Sequence, residues 1–415
     1  MINRYRAASI AAVSAALLSY THIAHADSNA FKDHCSGAAG KYDAPLRGWY
    51  WTWENDVAGV VKSDSYYTQG AQVGYTFRKH ANPNLLDRIA SPLCNFLGFD
   101  ASGGDDTALS ASTVFLGQQL FTPKDKSTAL PNPYDRPYAG WAYLGARLEL
   151  LQPFALSDEG RRRWHTHSFE VQAGVVGSNA LGEQTQRAFH DLEDSVQSNG
   201  WRNQIANRYA GQAFYNFSTR LKAFDIWGLS SDVLWDVGGA AGSLQNHIST
   251  GTTWRIGRNM GPMTQRAIQP SSIAASLHPS GATANERDTR KCEFLLHAQE
   301  CYFFVGASAK GVNKNIFLEG ASSGAGSEIS AEELVYELTW GFRARYRWAR
   351  FDYVSTTRSR EFSPAPANPL ERKGRHDFGS LTMSCYGGFG GYNGKLEVVC
   401  PGFVAAVASF LVFRD

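Results

Sequence analysis

The chain has 415 residues, with 40 Lys and Arg against 38 Asp and Glu, so no basic field points to nucleic acid. Aromatics make up 13%, Gly is frequent at 40 and Met scarce at 4, a balance that suits many strands and tight turns better than a helical core. After the N-terminus no stretch of about twenty uninterrupted apolar residues occurs, which excludes a helical membrane protein.

At the N-terminus, Arg4 and Arg6 precede an apolar run from Ala7 to Leu18, and Ala24-His25-Ala26 supplies small residues for cleavage. Residues 1–26 therefore read as a secretory signal, with the mature chain beginning near Asp27. Export makes disulfides plausible for the 6 cysteines. Pairing neighbours in sequence gives Cys35 with Cys94, Cys292 with Cys301 and Cys385 with Cys400, although other pairings stay open. No CxxC spacing suggests a metal.

The first strand-like runs, Trp49 to Asp56 and Tyr66 to Phe77, bring Asn55, Asp56 and Thr68 to facing ends of a hairpin. Such residues also simply close turns. An amide, a carboxylate and a hydroxyl together can equally hold a hard cation or polarise a carbonyl. Asn55 continues the alternation of Trp49, Trp51 and Trp53, so it belongs on the face given to lipid.

Further runs alternate in the same way. They cover Val73 to Phe77, Leu144 to Leu150, Phe169 to Val175 and Tyr215 to Phe217, with further candidates near Thr113, Ile226, Thr253, Phe303, Phe351 and Leu381. The clearest sets Leu334, Tyr336, Leu338, Trp340, Phe342, Ala344, Tyr346 and Trp348 against Val335, Glu337, Thr339, Gly341, Arg343, Arg345 and Arg347. Three arginines opposite so many aromatics fit a strand with lipid on one side and a wet lumen on the other. The fold class is all-β, a transmembrane antiparallel barrel of about twelve strands. A periplasmic sandwich or lipocalin-like barrel is the soluble alternative.

One helix interrupts the strands, roughly Leu181 to Val196, with Thr185, Phe189, Leu192 and Val196 as its apolar stripe. Gln186, His190 and Asp194 follow one another on the adjacent face. The loop from Gly261 to Asp288 is polar and carries no assigned chemistry.

The chain resembles the outer-membrane lipid A 3′-O-deacylase family. The resemblance rests on Glu54-Asn55-Asp56, Tyr67-Thr68-x-Gly70 and Asp135-Arg136-Pro137-Tyr138-Ala139-Gly140-Trp141. It also rests on Val176-Gly177, Leu181-Gly182-Glu183-Gln184-x-Gln186-x-x-x-His190 and Gly200-Trp201-x-x-Gln204-Ile205-x-Asn207-Arg208. It implies a twelve-stranded barrel at residues 27–387, in the bacterial outer membrane, that hydrolyses an ester of lipid A in lipopolysaccharide as a monomer. His190 would be the general base on water, with Asn55, Asp56 and Thr68 opposite and Asp56 ligating Ca2+. Asn55 and Thr68 either bond the ester oxygen or position the ion.

Three departures from the family pattern accompany the resemblance. Where the family has an acidic residue to orient the histidine, this chain has Val196, leaving Asp194 or Glu193 to serve. The family's lysine after the third strand corresponds to Lys124, to Lys126 or to neither. Residues 388–415, with Cys400 and the apolar stretch from Phe403 to Phe413, form an extension of undetermined role. The competing functions are an outer-membrane phospholipase and a non-enzymatic porin or adhesin. The absence of G-x-S-x-G disfavours a serine esterase.

Overall fold

The computed structural model describes residues 48–56, 66–78, 109–156, 162–193, 198–260, 292, 298–319, 328–346, 349–363 and 376–386. The signal segment, the loop from Gly261 to Asp288, Asp194, Val196, Cys35, Cys94, Cys400 and the extension at 388–415 lie outside the described residues.

The strands are β1 (Gly48–Asn55), β2 (Tyr66–Arg78), β3 (Leu109–Thr122), β4 (Ala139–Leu156), β5 (Arg162–Val176), β6 (Arg208–Ile226), β7 (Leu229–Gly242), β8 (Gln245–Arg258), β9 (Glu300–Asn315), β10 (Ser330–Ala331), β11 (Leu334–Arg345), β12 (Ala349–Arg358), β13 (Phe362–Ser363) and β14 (His376–Tyr386). All but β10 and β13 close one antiparallel barrel, in which β1 pairs with both β2 and β14. Closure pairs every strand on both sides, as a wall in lipid requires because hydrocarbon offers no partner to a backbone amide. The candidate near Ile226 proves to be the corner of the β6–β7 hairpin, turned by Trp227 and Gly228, both at positive φ.

The alternation in β11 behaves as its composition demands. Leu334, Tyr336, Leu338, Trp340 and Phe342 stand outside, Leu338 at 60% exposure, while Glu337, Thr339 and Arg343 are buried inside. Ala344 departs from its expected lipid-facing place, being only 5% exposed. It packs with Ala298 and the Cys292–Cys301 disulfide, which cover that stretch of wall.

The lumen is filled by side chains. Arg147 pairs with Glu170, Arg255 with Asp232, Arg343 with Asp352 and Arg345 with Glu300. Arginines thus act as paired packing in a narrow barrel. At one end helix α2 (Ile316–Glu319), which follows the longer helix α1 (Gly182–Glu193) in the chain, folds inward. Its Phe317 stacks on Phe121 of β3 with centroids 4.5 Å apart. Leu318 joins Ile329 and Phe362, so an apolar layer caps this end of the lumen.

Candidate active site

The end capped by α2 also carries α1, in the connection from β5 to β6. The apolar stripe expected of this helix does not form its buried face. Gln186 is 2% and His190 6% exposed, in line with buried Gly182, whereas Thr185 and Phe189 are only half-buried. The reason is the partner surface. A short 3-10 turn, Trp201–Asn203, returns after the helix and places the Trp201 indole over Gly182, beside Leu120 of β3. The indole Nε1 donates to Gln186 Oε1 at 2.6 Å. A buried face built on an indole N–H selects an amide where an apolar partner would select Leu. A Cβ on Gly182 would come within 2.7 Å of that ring, so glycine is what lets the helix approach.

Parity then locates the helix. In β3 the odd residues Phe115 and Phe121 enter the core, which leaves Leu116, Gln118, Leu120 and Thr122 on the outside. Leu120 is nevertheless buried, because Trp201 and Tyr138 cover it. Gln118 Nε2 donates to the Ala180 carbonyl at 2.6 Å. The start of α1 is therefore docked on the outer wall.

The cluster at the hairpin end meets that wall. Asn55 lies on the same face as Trp49, Trp51 and Trp53, opposite buried Tyr50, Thr52 and Glu54. In the ladder Asn55 pairs with Gln69, and Gln69 with Leu120. Two interstrand steps, roughly 10 Å, separate Asn55 from the residue that α1's partner Trp201 covers. Thr68 is the extra residue of a β-bulge between Tyr67 and Gln69, and its hydroxyl meets Thr122 Oγ1 at 2.6 Å. Bulges re-aim single side chains in this way, often beside active sites. Asp56, directly after β1, is fully buried.

The lumen side holds these segments in register. Tyr67 donates its hydroxyl to Glu54 Oε2 at 2.6 Å, tying β2 to β1 immediately behind the cluster. Gly70 makes room for that phenol, since a Cβ there would lie 1.8 Å from the Tyr67 oxygen.

Lys124 is exposed and Lys126 half-buried, both in the loop that leaves β3. Asp135 fastens the base of that loop by accepting the Lys124 amide at 2.8 Å. Burial raises the Asp135 carboxyl above its ordinary range, against the opposing pull of the Lys124 and Arg136 amides. Asn199 donates its amide to the Lys126 carbonyl at 3.0 Å, and Asn203 Nδ2 donates to the Ala129 carbonyl at 2.7 Å. The lysine loop and the Trp201 turn are thus one stitched surface beside α1. Burial pushes the Tyr138 phenol, which packs on Trp201, up to about 12, so it stays protonated. Glu193 closes α1.

Sequence reasoning missed Gln69, Trp201, Leu120 and Thr122. Their roles arise between segments distant in sequence, and only the parity of β3 carries a local signal.

A model of the family described as outer membrane protein LpxR matches residues 12–386. The chain belongs to this family. As a member of the LpxR family it is a protein of the bacterial outer membrane. The barrel is similar to the solved structure of LpxR from Salmonella typhimurium, at 16% identity and a TM-score of 0.57 over 82% of this chain and 100% of that one. That likeness establishes the fold. The β domain of the Bordetella autotransporter BrkA also matches, at 9% identity and a TM-score of 0.35 over 83% of this chain and 99% of that one. No curated protein sequence matches the chain.

Proposed function

We propose that the protein is an ester hydrolase of the outer leaflet that removes the 3′-linked acyl or acyloxyacyl group from lipid A of lipopolysaccharide. The observation that carries this reading is the buried polar row of α1, with Gln186 and His190 on the outside of a barrel whose lumen is packed. A pore has no use for a histidine there. A lipid anchored in the membrane reaches that face without entering the barrel. The α1 end lies opposite the end where β1 begins and β14 finishes, which fits an extracellular position for the helix.

In this reading His190 takes a proton from water while the water oxygen adds to the ester carbonyl. The same proton then passes to the sugar oxygen as the acyl–oxygen bond breaks, leaving a free acid and a sugar hydroxyl. Glu193 or Asp194 would orient the imidazole. Asn55 and Thr68 either donate to the ester oxygen or position a cation, and Lys124, Lys126 or both meet the phosphates of the substrate.

Ca2+ fits the donors here, since Asp56 offers a carboxylate and Asn55, Thr68 and Thr122 offer neutral oxygens at adjoining strand ends, the hard set this ion prefers. Asp56 would be its charged ligand. When bound, the ion would polarise the ester carbonyl. The protein would act as a monomer, because one chain carries the whole cluster.

The test is mass spectrometry of lipid A incubated with the refolded protein, with calcium, with a chelator and with His190→Ala. Loss of the 3′ acyl group only with calcium and intact His190 is expected. Unchanged lipid A alongside cleaved glycerophospholipid would replace this reading with a phospholipase. Cleavage of neither would leave a passive barrel.

A further inference from the structure

Phe121 and Phe317, with charged and amide side chains below them, line a cavity of about 20 Å³. Its wall includes Arg136, Lys310 and Arg358 with a single carboxylate, Glu361, together with the amide-bearing Gln119 and Gln245. These residues come from five separate parts of the barrel. Arg136 is the residue by which the lysine loop reaches into the lumen.

The cations share their carboxylate partners. Arg358 Nε donates to Glu337 Oε1 at 2.7 Å and its Nη1 to Glu361 Oε1 at 3.0 Å. Arg136 Nη1 meets Glu361 Oε2 at 3.5 Å, and Lys310 Nζ lies 3.6 Å from Glu337. Among the described residues, three cations and one carboxylate, Glu361, thus line the cavity itself. Glu54, which accepts from the Tyr67 hydroxyl, and Asp135, which accepts from the Lys124 and Arg136 amides, lie close by but do not line the cavity. Burial alone would raise the Glu361 carboxyl, but Arg358 and Arg136 outweigh it and hold it at about 2, so Glu361 is already ionised and fully used.

Two guanidinium donors remain over. Arg358 Nη2 and Arg136 Nε have no hydrogen-bond partner among the described residues, though both side chains are at least nine-tenths buried and line the cavity. An unmet buried N–H beside excess positive charge is costly in a low-dielectric interior. The cavity exceeds the space one water needs.

We propose that this cavity is a site for one small monovalent anion of chloride's size, held by Arg136, Arg358 and Lys310. The ion completes the charge balance of the lumen plug and fixes the lysine loop from inside through Arg136. Water would satisfy the donors and leave the charge. A polyatomic anion such as phosphate is too large.

The experiment uses the full refolded chain in detergent. Melting curves are recorded in sodium chloride and in sodium gluconate at matched ionic strength, and crystals grown in bromide are examined for anomalous scattering. A saturable rise of about 2 °C in chloride is expected at concentrations well above half-saturation, with a bromide peak between Arg136 and Arg358. In Gln245→Leu, which replaces a lining amide by an apolar group and keeps every charge, the chloride response is expected to weaken. In Arg358→Gln, where that variant folds, it is expected to vanish. Equal melting in the two salts, a bromide-free cavity or an unaltered response in Gln245→Leu would each overturn the proposal. Because the readouts are melting and scattering, they stand or fall independently of lipid A hydrolysis.

Discussion

Replacing Trp201 by Phe separates the docking of α1 from the stability of the barrel. The substitution removes the indole N–H that donates to Gln186 Oε1 at 2.6 Å and leaves that buried amide oxygen without its partner. A stranded buried acceptor costs about 1–3 kcal/mol. The ring atoms lost against Gly182 and Leu120 add a cavity term of about 1 kcal/mol. The sum, about 2–4 kcal/mol, falls on the attachment of α1 to the wall, because the indole and the Gln186 amide lie outside the strand ladder. Local openings of such elements lie only a few kcal/mol above the closed state. Where that margin absorbs about 1 kcal/mol of the sum, the remainder, at about 1.4 kcal/mol per tenfold, should lower lipid A deacylation roughly 5- to 100-fold. Amide exchange within Gly182–Glu193 should rise in parallel, while the gel mobility of the folded barrel stays unchanged. In a double-mutant cycle with Gln186→Leu, the two losses should be strongly sub-additive. Deacylation within twofold of wild type, with α1 exchange unaltered, would refute the argument that Trp201 seats this helix.

Other perturbations follow from the same geometry. Gly182→Val places its side chain inside the 2.7 Å approach to the Trp201 ring and should abolish deacylation with the barrel still folded, checked by mass spectrometry and heat-modifiable gel mobility. Asp56→Asn keeps the shape and removes the charge of the proposed calcium ligand, so the calcium needed for half-maximal rate should rise at least about tenfold; an unchanged calcium titration would remove that role. Thr68→Val deletes the hydroxyl that meets Thr122 at 2.6 Å and should lower the rate by about tenfold or more, as a lost donor to a developing oxyanion does. Glu361 has a depressed carboxyl, ordinarily near 4.5 and here about 2, so its contribution is complete above about 4.5 and is lost as pH falls toward 2. That contribution is of order 3 kcal/mol, and Glu361→Gln should flatten the acid limb of the melting-temperature profile across that window.

The barrel was legible because its signal is local. Alternation within β11 separates Leu338 from Glu337 without any knowledge of neighbouring strands, and the lipid-facing parity of Asn55 follows from the three tryptophans before it. The burial of Ala344 was not legible, since its cover comes from the Cys292–Cys301 segment across the ladder. The period finds the helix, but of its apolar stripe the described members Thr185 and Phe189 are only half-buried, and the buried row is Gly182, Gln186 and His190. Periodicity weighs Thr185 and Phe189 as apolar, and nothing within Gly182–Glu193 shows that its partner is an indole donor. The bulge that turns Thr68 was equally hidden, because register belongs to the pair of strands and not to either one.

The packed lumen and the outer-wall helix together weigh against a conducting barrel. A pore keeps its polar interior wet and leaves its mouth open, whereas here Phe317 stacks on Phe121 across the α1 end and arginines below, such as Arg343 and Arg358, are ion-paired to carboxylates rather than lining a water-filled channel. The same packing has a use in an outer-wall enzyme. Glu54 and Tyr67 brace from within the two strand ends whose next residues are Asn55 and Thr68, and Phe121 props from within the strand whose neighbours Leu120 and Thr122 meet Trp201 and Thr68 outside. Because inward and outward side chains alternate along one backbone, a rigid lumen fixes the outer wall to within a side chain's freedom. In the proposed enzyme the barrel would therefore hold still the half of the site built on strands, and the helix that Trp201 seats would supply the half that closes over a lipid.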